Sequence, residues 1–156
     1  MCKHFFILLF LPFIFLTGCT EDDPCMVEQP VQEWALPNAT LNISSQAELD
    51  LLEGLTEVGN DLYIQSNSEI GGVVDLSPLS SLQKVGGRLT IMDTGISNLS
   101  PLSSLHDVHG LRISGNNLLP NLHGLERLSC LKNLIVKGNN NLISLAGIEG
   151  LLEVEG

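Results

Sequence analysis

The chain alternates short apolar stretches with polar turns, and the alternation recurs at a fixed interval. Leu82, Leu105, Leu128 and Leu151 each open a segment, and successive openings lie 23 residues apart. The segments read LQKVGGRLTIMDTGISNLSPLSS, LHDVHGLRISGNNLLPNLHGLER, LSCLKNLIVKGNNNLISLAGIEG and the partial LLEVEG. A copy that opens at Leu55 is four residues longer, and a degenerate one runs from Leu41 through Leu52. Inside the units, Leu62-Tyr63-Ile64, Leu89-Thr90-Ile91, Leu111-Arg112-Ile113 and Leu134-Ile135-Val136 set apolar side chains two apart. That period puts both on one face of a strand, so one short strand per unit is expected. A unit that buries only one side of its leucines is stabilised by its neighbours, and the units are expected to lie side by side around a shared core.

Val108, Leu111, Ile113, Asn116 and Leu118 match the pattern L-x-x-L-x-L-x-x-N-x-L, and the next unit follows it through Leu131, Leu134, Val136 and Asn139 before slipping by one to Leu142. The two earlier units carry one more residue between Val58 and Leu62 and between Val85 and Leu89. The phrase Val85-Gly86-Gly87-Arg88-Leu89-Thr90-Ile91 resembles the receptor L-domain type of repeat, and Ile96 through Leu105 resembles the bacterial internalin-type leucine-rich repeat. The resemblance covers about residues 41–156. It implies an α/β repeat solenoid, with a short-stranded parallel sheet on a concave face and irregular or short helical turns on the convex side. Asn116 and Asn139 are expected at the corner after their strands, where the amide satisfies backbone groups whose burial without partners costs about 1–3 kcal/mol each. Ser77-Pro78 and Ser100-Pro101 carry a helix-start signature, serine as cap and proline at the first helical position.

Ahead of the repeats, Lys3 and the apolar run Phe5 to Leu16 have the order of a secretion signal, and the run is shorter than the roughly 20 residues a membrane span needs. Leu16-Thr17-Gly18-Cys19 resembles the bacterial lipobox, with Thr17 where alanine or serine is more usual. The resemblance implies that residues 1–18 are removed and that Cys19 becomes a lipidated first residue. At about 0.8 kcal/mol per buried methylene, more than one acyl chain gives a stable anchor. Thr20-Glu21-Asp22-Asp23 resembles the export signal of lipoproteins carried to the outer face of the outer membrane. Residues 19–37, acidic and containing Pro24, Pro30 and Pro37, read as a tether, and residues 38–156 as the repeat domain. Because the last unit stops where its strand is due, either further chain or a partner is expected to cover that edge.

Charge narrows the partners. Lys and Arg number 7 against 18 Asp and Glu, a net charge of −11, and no cation falls between Lys3 and Lys84. Such a balance repels phosphate backbones, so nucleic acid is not an expected partner. His106, His109 and His123 lie without the cysteine or carboxylate spacing of a metal site, and no nucleophile elbow, phosphate loop or Ser/His/Asp constellation is recognisable. Neither a cofactor nor a metal is expected, and the chain does not read as an enzyme. Cys2 leaves with the signal; Cys25 and Cys130 either pair in an oxidising compartment or stay as free thiols.

Residues between the buried strand positions are expected to point out from the concave sheet: Asn42, Ser44, Tyr63, Gln65, Thr90, Met92, Arg112, Ser114, Ile135 and Lys137. One aromatic ring, two cations and several hydroxyl and amide groups suit a protein or glycan ligand, which points to adhesion or recognition at the cell surface. Two alternatives are a spacer or scaffold in an envelope assembly and the N-terminal part of a larger surface protein with a catalytic domain downstream.

Overall fold

In the computed structural model, residues 34–66 and 72–154 are described, and all fall in the second of the chain's two units, Val31–Gly156. The lipobox with Cys19, most of the tether and Cys25 lie outside the described residues. The strands are β1 (Trp34–Leu36), β2 (Leu41–Ile43), β3 (Leu55–Val58), β4 (Leu62–Gln65), β5 (Lys84–Met92), β6 (Asp107–Ser114), β7 (Cys130–Leu131), β8 (Asn133–Lys137) and β9 (Glu153–Val154). One short helix, α1 (Gln46–Asp50), and two 3-10 turns, Ser77–Leu79 and Ser100–Ser104, complete the described elements. Every pairing among these strands is parallel, so the chain forms a parallel sheet with few helical residues, an α/β-like arrangement.

The sheet has two ladders where the sequence pattern led us to expect one strand per unit. The first ladder joins β1, β3 and the leading ends of β5 and β6, with Val58 beside Val85 and Val85 beside Val108. The same step recurs where β7 meets β9. The second ladder joins β2, β4, the trailing parts of β5 and β6, and β8, aligning Leu41, Leu62, Leu89, Leu111 and Leu134. The extra strand follows from a second alternation upstream. Glu57, Lys84 and Asp107 stand beside buried Val58, Val85 and Val108, and Lys84 Nζ lies 3.9 Å from Glu57 and 3.5 Å from Asp107. These exposed ion pairs add little stability; they mark the outward side.

Between the ladders the chain turns a corner. Four steps separate Val85 from Leu89 but three separate Val108 from Leu111, and the β5–β6 register shifts between Val85 and Arg88. The additional residue is absorbed as a bulge. Glycine is required there: a Cβ on Gly86 would run into the carbonyl oxygen of Gly59, and one on Gly59 into that of Pro37.

Behind the sheet, Leu62, Leu89 and Leu111 and, one step on, Ile64, Ile91 and Ile113 are buried together with Leu79, Leu102, Leu125, Leu82, Leu105 and Leu128 in one apolar core. Each such side chain contributes about 1.5–3 kcal/mol relative to exposure. Leu134 and Val136 on β8 are only partly buried. The serines of the two Ser-Pro turns are not caps, contrary to the sequence signature. Leu76 and Leu99 hold the cap positions without side-chain bonds, while Asp75 Oδ1 and Asn98 Oδ1 accept from the backbone N–H of Ser77 and Ser100. Farther along, Glu126 accepts from Gly124 N–H and Glu149 from Gly147 N–H, with both glycines at positive φ, 113° and 112°.

After the second ladder, asparagines tie one rung to the previous one. Asn116, fully buried, accepts through Oδ1 from Thr94 N–H (3.1 Å) and Thr94 Oγ1 (2.6 Å) and donates through Nδ2 to the Ile91 carbonyl (3.0 Å). Asn139 repeats the arrangement, accepting from Asn116 N–H at 2.8 Å and donating to the Ile113 carbonyl at 3.1 Å. Asn116→Ala removes three bonds from buried groups, and since one unpaired buried group costs about 1–3 kcal/mol, the loss is expected to be on the order of 3 kcal/mol. Asn139→Ala, at a partly buried position, should lose less. Urea denaturation midpoints of the two variants check the order.

Candidate functional site

Because side chains alternate across a strand, the residues between the buried leucines and isoleucines of the second ladder share its outer side. Register sets them in rows. Asn42, Tyr63, Thr90, Arg112 and Ile135 form one row, and Gln65, Met92, Ser114 and Lys137 the next. Nine of the ten residues expected on this face are thus brought together. Ser44 is not on a rung: it follows the end of β2, and its N–H and hydroxyl donate to Glu48 Oε2 at 2.7 and 2.9 Å, which fixes the entry to α1.

Two of the nine are not displayed as expected. Thr90 and Ser114 are 4% and 5% exposed. Strands stand about 4.8 Å apart, so a short side chain between two long ones is roofed over. Tyr63 and Arg112 flank Thr90, and Met92 and Lys137 flank Ser114. Thr90 Oγ1, Ser114 Oγ and Arg112 Nε are shielded and have no hydrogen-bond partner. Leaving such a group unpaired costs about 1–3 kcal/mol, so three neighbouring cases make this the most strained polar patch among the described residues.

A third row was missed in the sequence. Arg88, Gly110 and Asn133 align one alternation step before Thr90, Arg112 and Ile135. The Leu89-Thr90-Ile91 triplet marks only the trailing part of β5, which starts at Lys84, and the period of two carried back from Thr90 reaches Arg88. An added Cβ at Gly110 would stand 3.7 Å from Arg88 Nε, so the guanidinium lies across a position that carries no side chain of its own. Beside it, Asp61 Oδ1 accepts from Arg88 N–H at 2.7 Å and Oδ2 accepts from Tyr63 Oη at 2.9 Å. The Arg88 backbone bond, then the Tyr63 hydroxyl, and then the charges of Arg88 and His109 hold the Asp61 carboxyl below its ordinary 3.8. The bond to Asp61 and its charge push the Tyr63 phenol above its ordinary 10.0.

This outer face therefore gathers Arg88, Arg112 and Lys137 in an acidic protein, and none of the three forms a salt bridge among the described residues. Asp61 is an acid beside Arg88, and both its oxygens accept hydrogen bonds. Elsewhere, His106, His109 and His123 are exposed, and His123 Nδ1 lies 3.1 Å from Glu126. Among the described residues no group of three or more His, Cys, Asp or Glu is placed to hold a metal ion. Cys130 is an exposed free thiol. Comparison of the chain with protein-family models, curated proteins and solved structures finds no match.

The Asp61–Tyr63 bond has a pH signature. The depressed carboxyl contributes stability that is present above its ordinary pKa of 3.8 and lost as pH falls through the lower folded value. Tyr63, with its pKa raised, contributes stability that is complete below pH 10.0 and lost as pH rises through the higher folded value. Tyr63 is the chain's single tyrosine, so ultraviolet absorbance on alkaline titration reads this phenol alone. In Asp61→Asn the midpoint should move down toward 10.0; an unchanged midpoint would refute the assigned cause.

Proposed function

We infer that residues 38–156 are a leucine-rich-repeat solenoid of the receptor L-domain-like or internalin-like kind, carried on a lipid at Cys19 and presented at the bacterial outer membrane, where it recognises a protein or glycan in adhesion. The observation that carries this reading is the in-register row Tyr63, Thr90, Arg112 and Ile135, one residue from each successive rung. Rigid parallel strands hold such a row at fixed spacing, so a ligand meets a preorganised surface and little ordering entropy opposes binding. The repeat period of 23, the aligned leucines and the asparagine bonds between rungs support the solenoid. Membrane attachment rests on the charge, apolar run and Leu16-Thr17-Gly18-Cys19 order of the leader. A fold of this kind serves many ligands, so the role is argued from the face and not from the architecture.

Cells producing the full chain should bind to members of an array of immobilised glycans and extracellular-matrix proteins. The combined Tyr63→Ala and Arg112→Ala variant should weaken that binding by at least about tenfold, equivalent to about 1.4 kcal/mol. Unchanged binding would place recognition elsewhere. In the same cells Cys19→Ser should abolish incorporation of labelled palmitate and release the protein from the membrane fraction, while retention would rule out this anchor.

A further inference from the structure

Resting on the recognition reading above, we propose that the outer face takes an acidic glycan, its carboxylate or sulfate groups seated between Arg88 and Arg112. The chain carries net charge −11, yet its second ladder turns Arg88, Arg112 and Lys137 to one side. Cations concentrated on one face of an acidic protein draw an anion to that face and leave the remainder repulsive, which gives orientation as well as attraction. Asp61, bonded to Arg88 N–H and Tyr63 Oη, offsets part of the Arg88 charge, while Arg112 and Lys137 form no salt bridge among the described residues.

The second observation is the set of unpaired atoms. Arg112 Nε has no acceptor, and the hydroxyls of Thr90 and Ser114, on residues more than nine-tenths buried, have no partner. All three belong to the outward rows, because Leu89, Ile91, Leu111 and Ile113 occupy the core side of the same strands. An anionic oxygen that draws the Arg112 side chain outward supplies the missing acceptor to Nε and unroofs Thr90. A guanidinium presents paired donors that match a carboxylate or sulfate in a planar, two-point contact. Gly110, with no side chain of its own, lets the Arg88 side chain lie across the strand that carries Arg112.

A sugar fits better than an acidic peptide. Around the arginines the outward rows carry the Tyr63 ring and the Thr90 and Ser114 hydroxyls, with Met92 and Ile135 as their apolar members, a thin apolar content beside the hydrophobic centre that protein interfaces use. Sugar hydroxyls can complete the bonds that Thr90 and Ser114 lack, and the Tyr63 ring gives a pyranose a flat apolar surface.

The test uses the full-length chain in detergent, titrated with a galacturonic acid hexamer, a heparin hexasaccharide, the methyl-esterified galacturonate hexamer and hexaglutamate. We expect binding to one of the two acidic sugars, weakening as salt rises, and at least tenfold weaker binding to the methyl ester and to hexaglutamate. Preference for galacturonate assigns the anion as carboxylate, and preference for heparin assigns it as sulfate. Arg88→Gln with Arg112→Gln should reduce binding at least tenfold, whereas Lys84→Gln with Arg127→Gln, which removes the same charge elsewhere, should leave it within twofold. Thr90→Val keeps the shape and removes an unpaired hydroxyl, so thermal stability should hold or rise while binding falls severalfold; this variant serves if the arginine pair fails to fold. Equal loss in both charge pairs, or hexaglutamate binding as tightly as the sugars, overturns the proposal. Absence of acidic-sugar binding overturns it as well, and the recognition reading then stands if Tyr63→Ala with Arg112→Ala still weakens another array ligand and falls if it does not.

Discussion

Parallel strands can share a core only if each places its apolar residues level with those of the strand before. Leu62, Leu89 and Leu111 meet this condition across three rungs, and Ile64, Ile91 and Ile113 meet it one step farther on. A shift by a single residue would exchange the two faces and set Tyr63, Thr90 and Arg112 against the leucines. Register is therefore the constraint from which the core and the outer face both follow. The asparagines reinforce it at the strand ends, because Asn116 and Asn139 bond carbonyls of the preceding rung that are in place only when the strands are level.

Much of this was legible in the residues themselves. The interval of 23 and the Leu-x-Ile triplets predicted the strands of the second ladder and the alignment of their leucines. The first ladder was missed because its strands are very short. Val108 matches the first apolar position of the repeat pattern and Val58 and Val85 stand at the equivalent places, but a lone apolar residue ahead of the Leu-x-Ile triplet carries no alternation that marks a strand. Burial at Thr90 and Ser114 was out of reach for a different reason: it depends on the length of side chains on adjacent rungs, 22 to 27 residues away in sequence. Ser44 was misplaced because a capping interaction with Glu48 outcompeted extension of β2.

The outer face couples two kinds of order. Its backbone is fixed by the ladder, but its polar groups are incompletely paired, with Thr90, Arg112 and Ser114 each holding an unused donor or acceptor. Natural interiors seldom leave such groups idle, and clusters of them are more informative than single cases. The neighbouring Asp61, by contrast, is fully engaged with Arg88 and Tyr63. One half of the patch is locked and the other half is open, which is the pattern of a surface whose shape is settled before its bonding is.

The bulge at Gly86 and Gly87 bears on how such a sheet can change over generations. An insertion at one corner forces the backbone against the corner before it, where Gly59 already lies against Pro37. Lengthening or shortening a corner is thus tolerated only alongside a matching alteration next door, or where a slip can be absorbed, as between Val85 and Arg88. Arg88 stands at that slip. A junction where neighbouring corners differ in length is thus also where a cation reaches across a bare glycine, so variation in corner length offers a lineage a way to reshape the outer face without disturbing a single leucine beneath it.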